Sequence, residues 1–297
     1  MKNNFLLSQL YAFITVSFWA SSYAFTFLAL QAFSAGGLGF VRNSVACLCL
    51  GAFVLIKRYK LPRPADLPWF FLAGAAGFAL YLLAFNKGAS MLNPTTACIV
   101  ISTSPVITAF LARWLVDEKL TPLRWAAILL AFCGILLMTL WDGVLAITSG
   151  TFWMLIAAFL ISLYNILQRK LIQRYSAPEI TAYSFLAATL LLLPFLPETA
   201  NQARLATNLQ IGLAVFLGIG PSAAAYLFWA KAMALAPKTS SVSNYMFLTP
   251  FLALLLEYAV FGAWPGAGTF AGGGLILLAL LLFALAGQKR AQNNPGN

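Results

Sequence analysis

The stretch Cys98-Ile-Val-Ile-Ser-Thr-Ser-Pro-Val-Ile-Thr-Ala-Phe-Leu111 sets three hydroxyls, Ser102, Thr103 and Ser104, directly before Pro105 in an otherwise apolar run. A second stretch, Phe247-Leu-Thr-Pro250, repeats the device and follows Ser240, Ser243, Asn244 and Tyr245. Proline inside a helix removes an amide donor and pushes away the carbonyl four residues earlier, here that of Ile101 or of Met246. Hydrocarbon cannot satisfy such a carbonyl, so irregular backbone survives there only when it is buried in protein or faces a wet cavity. Neighbouring hydroxyls can supply compensating bonds. Each proline taken alone fits a structural kink as well; two of them at matching places favour a cavity. Pro221 offers a third break, and Pro105, Pro250 and Pro221 are the expected hinge positions.

Other polar and aromatic residues lie on helical faces that a cavity could use. Trp19, Ser22 and Tyr23 belong to a stripe that starts at Ser8 and recurs through Tyr11, Thr15 and Thr26. Tyr81 and Phe85 follow Gly74 and Gly77 on one face and precede Gly88, while Tyr164 with Asn165, Trp229, and Asn244 with Tyr245 occupy other runs. Together with Ser102 and Thr103 these are the candidate binding residues. Tyr and Trp faces stack on an aromatic solute, each offset pair contributing about 0.5 to 1.5 kcal/mol beyond burial. Such stripes also serve plain helix packing or interfacial belts, and only their company of mid-run hydroxyls and amides points to a ligand. The groups suit binding. They do not suit catalysis, because no carboxylate pair, Ser/His arrangement, His-Glu-x-x-His or phosphate loop occurs in the chain. With no histidine, and with Cys47, Cys49, Cys98 and Cys133 all inside apolar runs, neither a metal nor another cofactor is expected.

The elements that position these residues follow from composition. A chain of 297 residues with 62% hydrophobic and 8% charged side chains cannot bury its apolar surface in a soluble core. It reads as an all-α integral membrane protein. Runs long enough for a core about 30 Å thick occur at 8–30, 37–56, 68–88, 95–116, 122–141, 150–172, 178–196, 208–234, 239–261 and 266–287, predicting ten transmembrane helices. The first continues well past Ala20-Ser-Ser and is read as a span, not as a cleaved signal. The formal charge of +11 does not point to nucleic acid, since the basic residues cluster between apolar runs, where cytoplasmic loops carry them. Placing both termini in the cytoplasm leaves only Arg42, Lys87 and Arg204 on the outer side.

The chain also repeats. Phe85-Asn-Lys-Gly-Ala-Ser-Met-Leu-Asn-Pro-Thr-Thr96 leads to Pro105 as Trp229-Ala-Lys-Ala-Met-Ala-Leu-Ala-Pro-Lys-Thr-Ser240 leads to Pro250. Ser21-Ser-Tyr23 and Ser162-Leu-Tyr164 lie at nearly the same offset. Two units are expected, 1–145 and 146–297. Each holds five spans, an odd number, so the second enters the membrane from the opposite side and the repeats are inverted around a central cavity.

Few charges fall inside the spans. Lys87 and Lys231 sit near helix ends and can snorkel or face a vestibule, and Arg42 invites the same two readings. Glu257 is the one acid well within an apolar run and a candidate proton carrier.

Phe18-Trp-Ala-Ser-Ser-Tyr23, ten spans in two halves, and Pro105 followed by Asp117-Glu118-Lys-Leu-Thr121 and Gly134 resemble the EamA-type branch of the drug/metabolite transporter superfamily. Within it the chain looks most like the YddG-type exporters of aromatic amino acids. The resemblance implies a multi-pass carrier of the bacterial inner membrane that exports a small-molecule substrate without ATP. Its partners would be that metabolite and membrane lipid, with no nucleic acid and a monomer as the simplest state. The chain departs from the pattern at Ala263, where the second half lacks an equivalent of Glu118, and the first helix lacks the carboxylate of the small multidrug pumps. A neutral-lined pocket suits a zwitterion, so aromatic or large neutral amino acids are the expected substrates. The alternative is a proton-coupled multidrug or cationic-compound exporter working through Glu257.

Overall fold

The computed structural model describes residues 2–115, 121–141, 148–236, 242 and 244–293. All regular structure in them is helical. Seven helices are long and apolar enough to cross a bilayer, and three shorter apolar ones lie at Pro122–Leu137, Tyr245–Phe261 and Ala267–Phe283. The boundary between the two expected units, at 145/146, and the residues Asp117, Glu118, Ser240 and Ser243 lie outside the described residues.

The chain begins with α1 (Lys2–Ala29) and α2 (Ala35–Ile56). The third crossing is composite: α3 (Leu67–Gly74), a π-helical turn at Ala75–Ala79, then α4 (Leu80–Ala89). The fourth is α5 (Pro94–Ile101) and α6 (Ser104–Leu115), and the fifth is α7 (Pro122–Leu140). In the second half α8 (Ser149–Leu171) and α9 (Ala177–Leu192) form two crossings, with a short 3-10 turn joining α9 to α10 (Leu196–Leu205). The eighth crossing is composite like the third, with α11 (Asn208–Leu217), a π-helical stretch Gly218–Ala224, and α12 (Ala225–Leu235). A 3-10 turn at Asn244–Leu248 leads into α13 (Thr249–Phe261), and α14 (Ala267–Asn293) ends the described chain.

The principal helix pairs keep their partners when the halves are exchanged. The first crossing packs on the eighth as the sixth packs on the third, the second on the seventh, and the fifth on the tenth. Both composite crossings carry their π turn at the equivalent place. Sequence alone gave no sign of these turns beyond the small residues around them, Gly74 and Gly77 in one half and Gly218, Gly220 and Pro221 in the other. Each turn inserts one residue into the helical count, which rotates everything downstream by about 100°. That slip takes Gly74, which meets α9, out of phase with Tyr81, Phe85 and Gly88, which stay in phase with one another on α4.

Lipid offers no hydrophobic drive between helices, so close backbone approach at small residues does the holding. A Cβ on Gly74 would strike the Ser184 carbonyl of α9, and one on Gly77 would lie 2.5 Å from the Tyr164 ring on α8. Gly74→Val should therefore lower the unfolding midpoint in detergent by about 3 to 10 °C. An unchanged midpoint would contradict this packing.

The prolines behave differently from an interior kink. Pro105 and Pro250 each stand second in a new helix, α6 or α13, after a short break at Ser102–Thr103 or the turn Asn244–Leu248. Proline is tolerated in the first turn because its missing N–H would have no partner there anyway. The hydroxyls add bonds to carbonyls around the break. Ser102 Oγ donates to the Cys98 carbonyl at 2.8 Å, Thr103 Oγ1 to Val100 at 2.7 Å, and Ser162 Oγ from α8 reaches the Ser104 carbonyl at 2.8 Å.

Candidate functional site

A cavity of about 830 Å³ lies between the halves. From the first half its wall takes Trp19, Ser22 and Tyr23 of α1, Arg42 of α2, Phe78, Tyr81, Ser102, Ser104 and Pro105; from the second it takes Tyr164 and Asn165 of α8, Phe185 of α9, Pro221, Ser222, Tyr226, Trp229 and Pro250. Of the residues expected from sequence, Trp19, Ser22, Tyr23, Tyr81, Ser102, Tyr164, Asn165, Trp229, Pro105, Pro221 and Pro250 stand on this wall.

Three do not. Phe85 is buried behind the wall, its ring 5.5 Å from Tyr23 and 5.6 Å from Tyr81, so it supports two residues that face the cavity. Thr103 is turned into the break and spends its hydroxyl on Val100. Tyr245 packs with Ala12, Val242 and Met233 beside the cavity. The side chain of Asn244 lies outside those described. The polar stripe of α1 also divides. Its early part, through Ser8 Oγ donating to the Ala232 carbonyl at 2.8 Å, fastens α1 to α12, and only its middle faces the cavity.

The aromatic wall is a connected set. Trp19 sits with its ring 5.2 Å from Trp229 and 5.8 Å from Tyr226, and Phe78 lies 5.1 Å from Tyr164. Amides continue the wall: Asn165 Nδ2 lies 3.4 Å from Thr108 Oγ1, and Gln168 Nε2 donates to Asn165 Oδ1 at 3.2 Å. Asp and Glu are absent from the described wall; its charged members are Arg42 and Arg169.

The cavity is one-sided. Its wall continues down α8 through Gln168, Arg169 and Ile172 to Ala177 at the start of α9. That end carries the loops where Tyr175 Oη donates to Asp66 at 2.8 Å and Tyr183 Oη donates to the Lys60 carbonyl at 2.8 Å. The opposite end is shut by contacts between the halves. Glu257 is only 3% exposed, and its Oε2 accepts from the Thr95 amide at 2.7 Å, completing the start of α5 beside the Asn93 cap. Thr96 and Thr269 share a hydrogen bond at 2.9 Å nearby, and Phe27 packs against Phe261. Glu257 is thus part of the closure and not of the wall. Lys87 and Lys231 are exposed, away from the cavity.

Arg42 is the residue whose place the sequence left open. It is 6% exposed, near the blind end of the cavity, and its Nε donates to Ser222 Oγ in the π-helical stretch at 2.7 Å.

Two matching halves, broken helices and one blind cavity between them are the architecture of a membrane transporter. Sequence comparison supplies the particular kind. The EamA-like transporter family profile matches residues 6–140 and again 148–285, and the chain belongs to that family. It is 28% identical over 285 residues to a probable terminal-alkyne amino-acid exporter of Streptantibioticus cattleyicolor, covering 95% of this chain and 96% of that one. An uncharacterized transporter of Archaeoglobus fulgidus is 31% identical, with 93% and 96% covered, and an S-adenosylmethionine uptake transporter of Rickettsia conorii is 24% identical, with 89% and 86% covered. A crystal structure at 18% identity shares the fold, with a TM-score of 0.62 over 94% of this chain and 97% of that one.

Proposed function

We propose that this protein exports aromatic and other large neutral amino acids across the bacterial inner membrane by alternating access, without ATP, as a monomer with both termini in the cytoplasm. The observation that carries the reading is the wall itself: connected Trp and Tyr rings with amides and hydroxyls, and no acid among its described residues. Its volume falls within the range that holds small organic ligands. The cavity then opens to the cytoplasm, at the end carrying Lys57, Arg58, Lys60 and Arg63, and the closed end faces outward. Trp19, Ser22, Tyr23, Tyr81, Ser102, Tyr164, Asn165 and Trp229 contact the substrate. Units 1–145 and 146–297 exchange conformations, opening one end as the other shuts. The amino-acid exporter among the relatives supports the substrate class.

Counterflow in proteoliposomes tests this reading. Vesicles loaded with unlabelled phenylalanine should draw in labelled phenylalanine transiently and saturably, in competition with tryptophan and tyrosine and with little dependence on an imposed pH gradient. A linear, unsaturable flux, or exchange of organic cations alone, would refute it. Because Glu257 binds a backbone amide and not the cavity, Glu257→Gln, which keeps an acceptor oxygen, should retain exchange within about threefold of wild type. Complete loss in a stably folded Glu257→Gln protein would favour proton-coupled export of cations.

A further inference from the structure

We propose that Arg42 and Ser222 form an anion subsite at the blind end of the cavity, and that it receives the carboxylate of the transported solute. The inference rests on the amino-acid reading above and deepens it.

Arg42 is drawn in from about 10 Å below the start of α2 at Ala35, too deep to be explained as an interfacial anchor. A buried guanidinium is expensive in a membrane protein unless it is paired. Only part of this one is satisfied: Nε is engaged by Ser222 Oγ at 2.7 Å, while Nη1 is buried with no hydrogen-bond partner. No described wall residue carries a carboxylate. The Phe85 ring lies 6.0 Å from Cζ, the outer limit of a useful cation–π distance. Guanidinium presents a planar fork that matches a carboxylate bidentately, in charge-assisted bonds stronger than those to a neutral oxygen.

The surroundings hold the fork in place. Ser222 belongs to the π-helical stretch, and a Cβ on Gly218 in that stretch would lie 3.0 Å from the Arg42 carbonyl, so the two crossings meet backbone to backbone here. Tyr81 and Tyr23 share the wall with Arg42, and the Trp19, Tyr226 and Trp229 rings line it as well. A solute with a carboxylate at one end and an aromatic or apolar body can therefore place its charge on Arg42 and its body among the rings. The subsite joins the first half to the second, so filling it ties occupancy to the relative position of the two.

Ligand-dependent melting of the purified full-length protein tests this with three probes: L-phenylalanine, 3-phenylpropionate, which lacks the ammonium, and phenethylamine, which lacks the carboxylate. Wild type should be stabilised by both acids and should bind phenethylamine at least about 10-fold more weakly. Arg42→Met should weaken binding of both acids by about 10- to 100-fold and leave phenethylamine unchanged. Without ligand it should melt at or above the wild-type temperature, since a buried, half-paired cation is gone; a purely structural arginine would lower it. Ser222→Ala should weaken the acids less, by about three- to tenfold. If Arg42→Met does not fold, Ser222→Ala and the wild-type contrast between phenylalanine and phenethylamine carry the test. Acid binding within about twofold of wild type in Arg42→Met, phenethylamine binding as tightly as phenylalanine, or no acid binding at all would overturn the subsite. Should 3-phenylpropionate bind through Arg42 while phenylalanine neither binds nor exchanges, the subsite stands and the amino-acid reading falls. Phenylalanine exchange equal in wild type and Arg42→Met gives the reverse.

Discussion

A protein carrying Thr96→Cys and Thr269→Cys, with Cys47, Cys49, Cys98 and Cys133 replaced, should lose more than about 90% of its exchange on oxidation and recover it with reductant. The two hydroxyl oxygens lie 2.9 Å apart, across the halves and at the shut end of the cavity. That separation leaves the two Cβ atoms near the span a disulfide bridges. Thr96 belongs to α5 of the first half and Thr269 to α14 of the second, so the bond clamps the contact that must part for the cavity to open outward. The effect is close to all-or-none because a carrier held on one side completes no cycle, however well it binds. Fluorescence-detected exchange before and after reduction measures it. Full exchange in a quantitatively oxidised protein would mean that this end never needs to move.

The second large effect belongs to Trp19. Its ring meets both Trp229 and Tyr226 and faces the cavity. Removing it deletes one side of the proposed aromatic cage and the apolar area it buries on the substrate, together about 1.5 to 3 kcal/mol. Trp19→Ala should thus lower kcat/KM for phenylalanine and tryptophan by roughly 10- to 100-fold. Leucine, with no ring to stack, should fall less. Trp19→Phe should restore most of the loss. An equal fall for every substrate with no rescue by Phe would assign Trp19 to packing alone.

Ten spans and their rough limits were legible because runs of apolar residues between basic clusters leave little choice in hydrocarbon. The repeat was legible from Lys87 and Lys231, Pro105 and Pro250, since marked residues at one offset survive in apolar sequence where hydrophobic matches do not discriminate. Faces beyond a π turn were not. Gly74 was grouped with Tyr81 and Phe85 by a 3.6 period, whereas the inserted residue at Ala75–Ala79 resets the phase between them, and no residue type announces such a turn. Thr103 shows the same limit on a smaller scale, because a hydroxyl next to a helix break can serve the break or the cavity, and only geometry separates the two. Arg42 could be placed near the outer third of α2 from sequence, but whether it reached lipid headgroups or Ser222 depended on a contact with the other half. Glu257, a candidate proton carrier from sequence, is engaged by an amide from another crossing.

Alternating access requires one cavity that opens to each side of the membrane in turn. A single cysteine at Ser102, in an otherwise cysteine-free protein, can be challenged with a membrane-impermeant thiol reagent from either face of oriented vesicles. Ser102 stands on the cavity wall, which reaches only one end in this structure. Modification from both faces, slowed by phenylalanine and abolished from the shut side alone by the Thr96→Cys/Thr269→Cys disulfide, is the predicted result. Modification from one face only, with and without substrate, would contradict it.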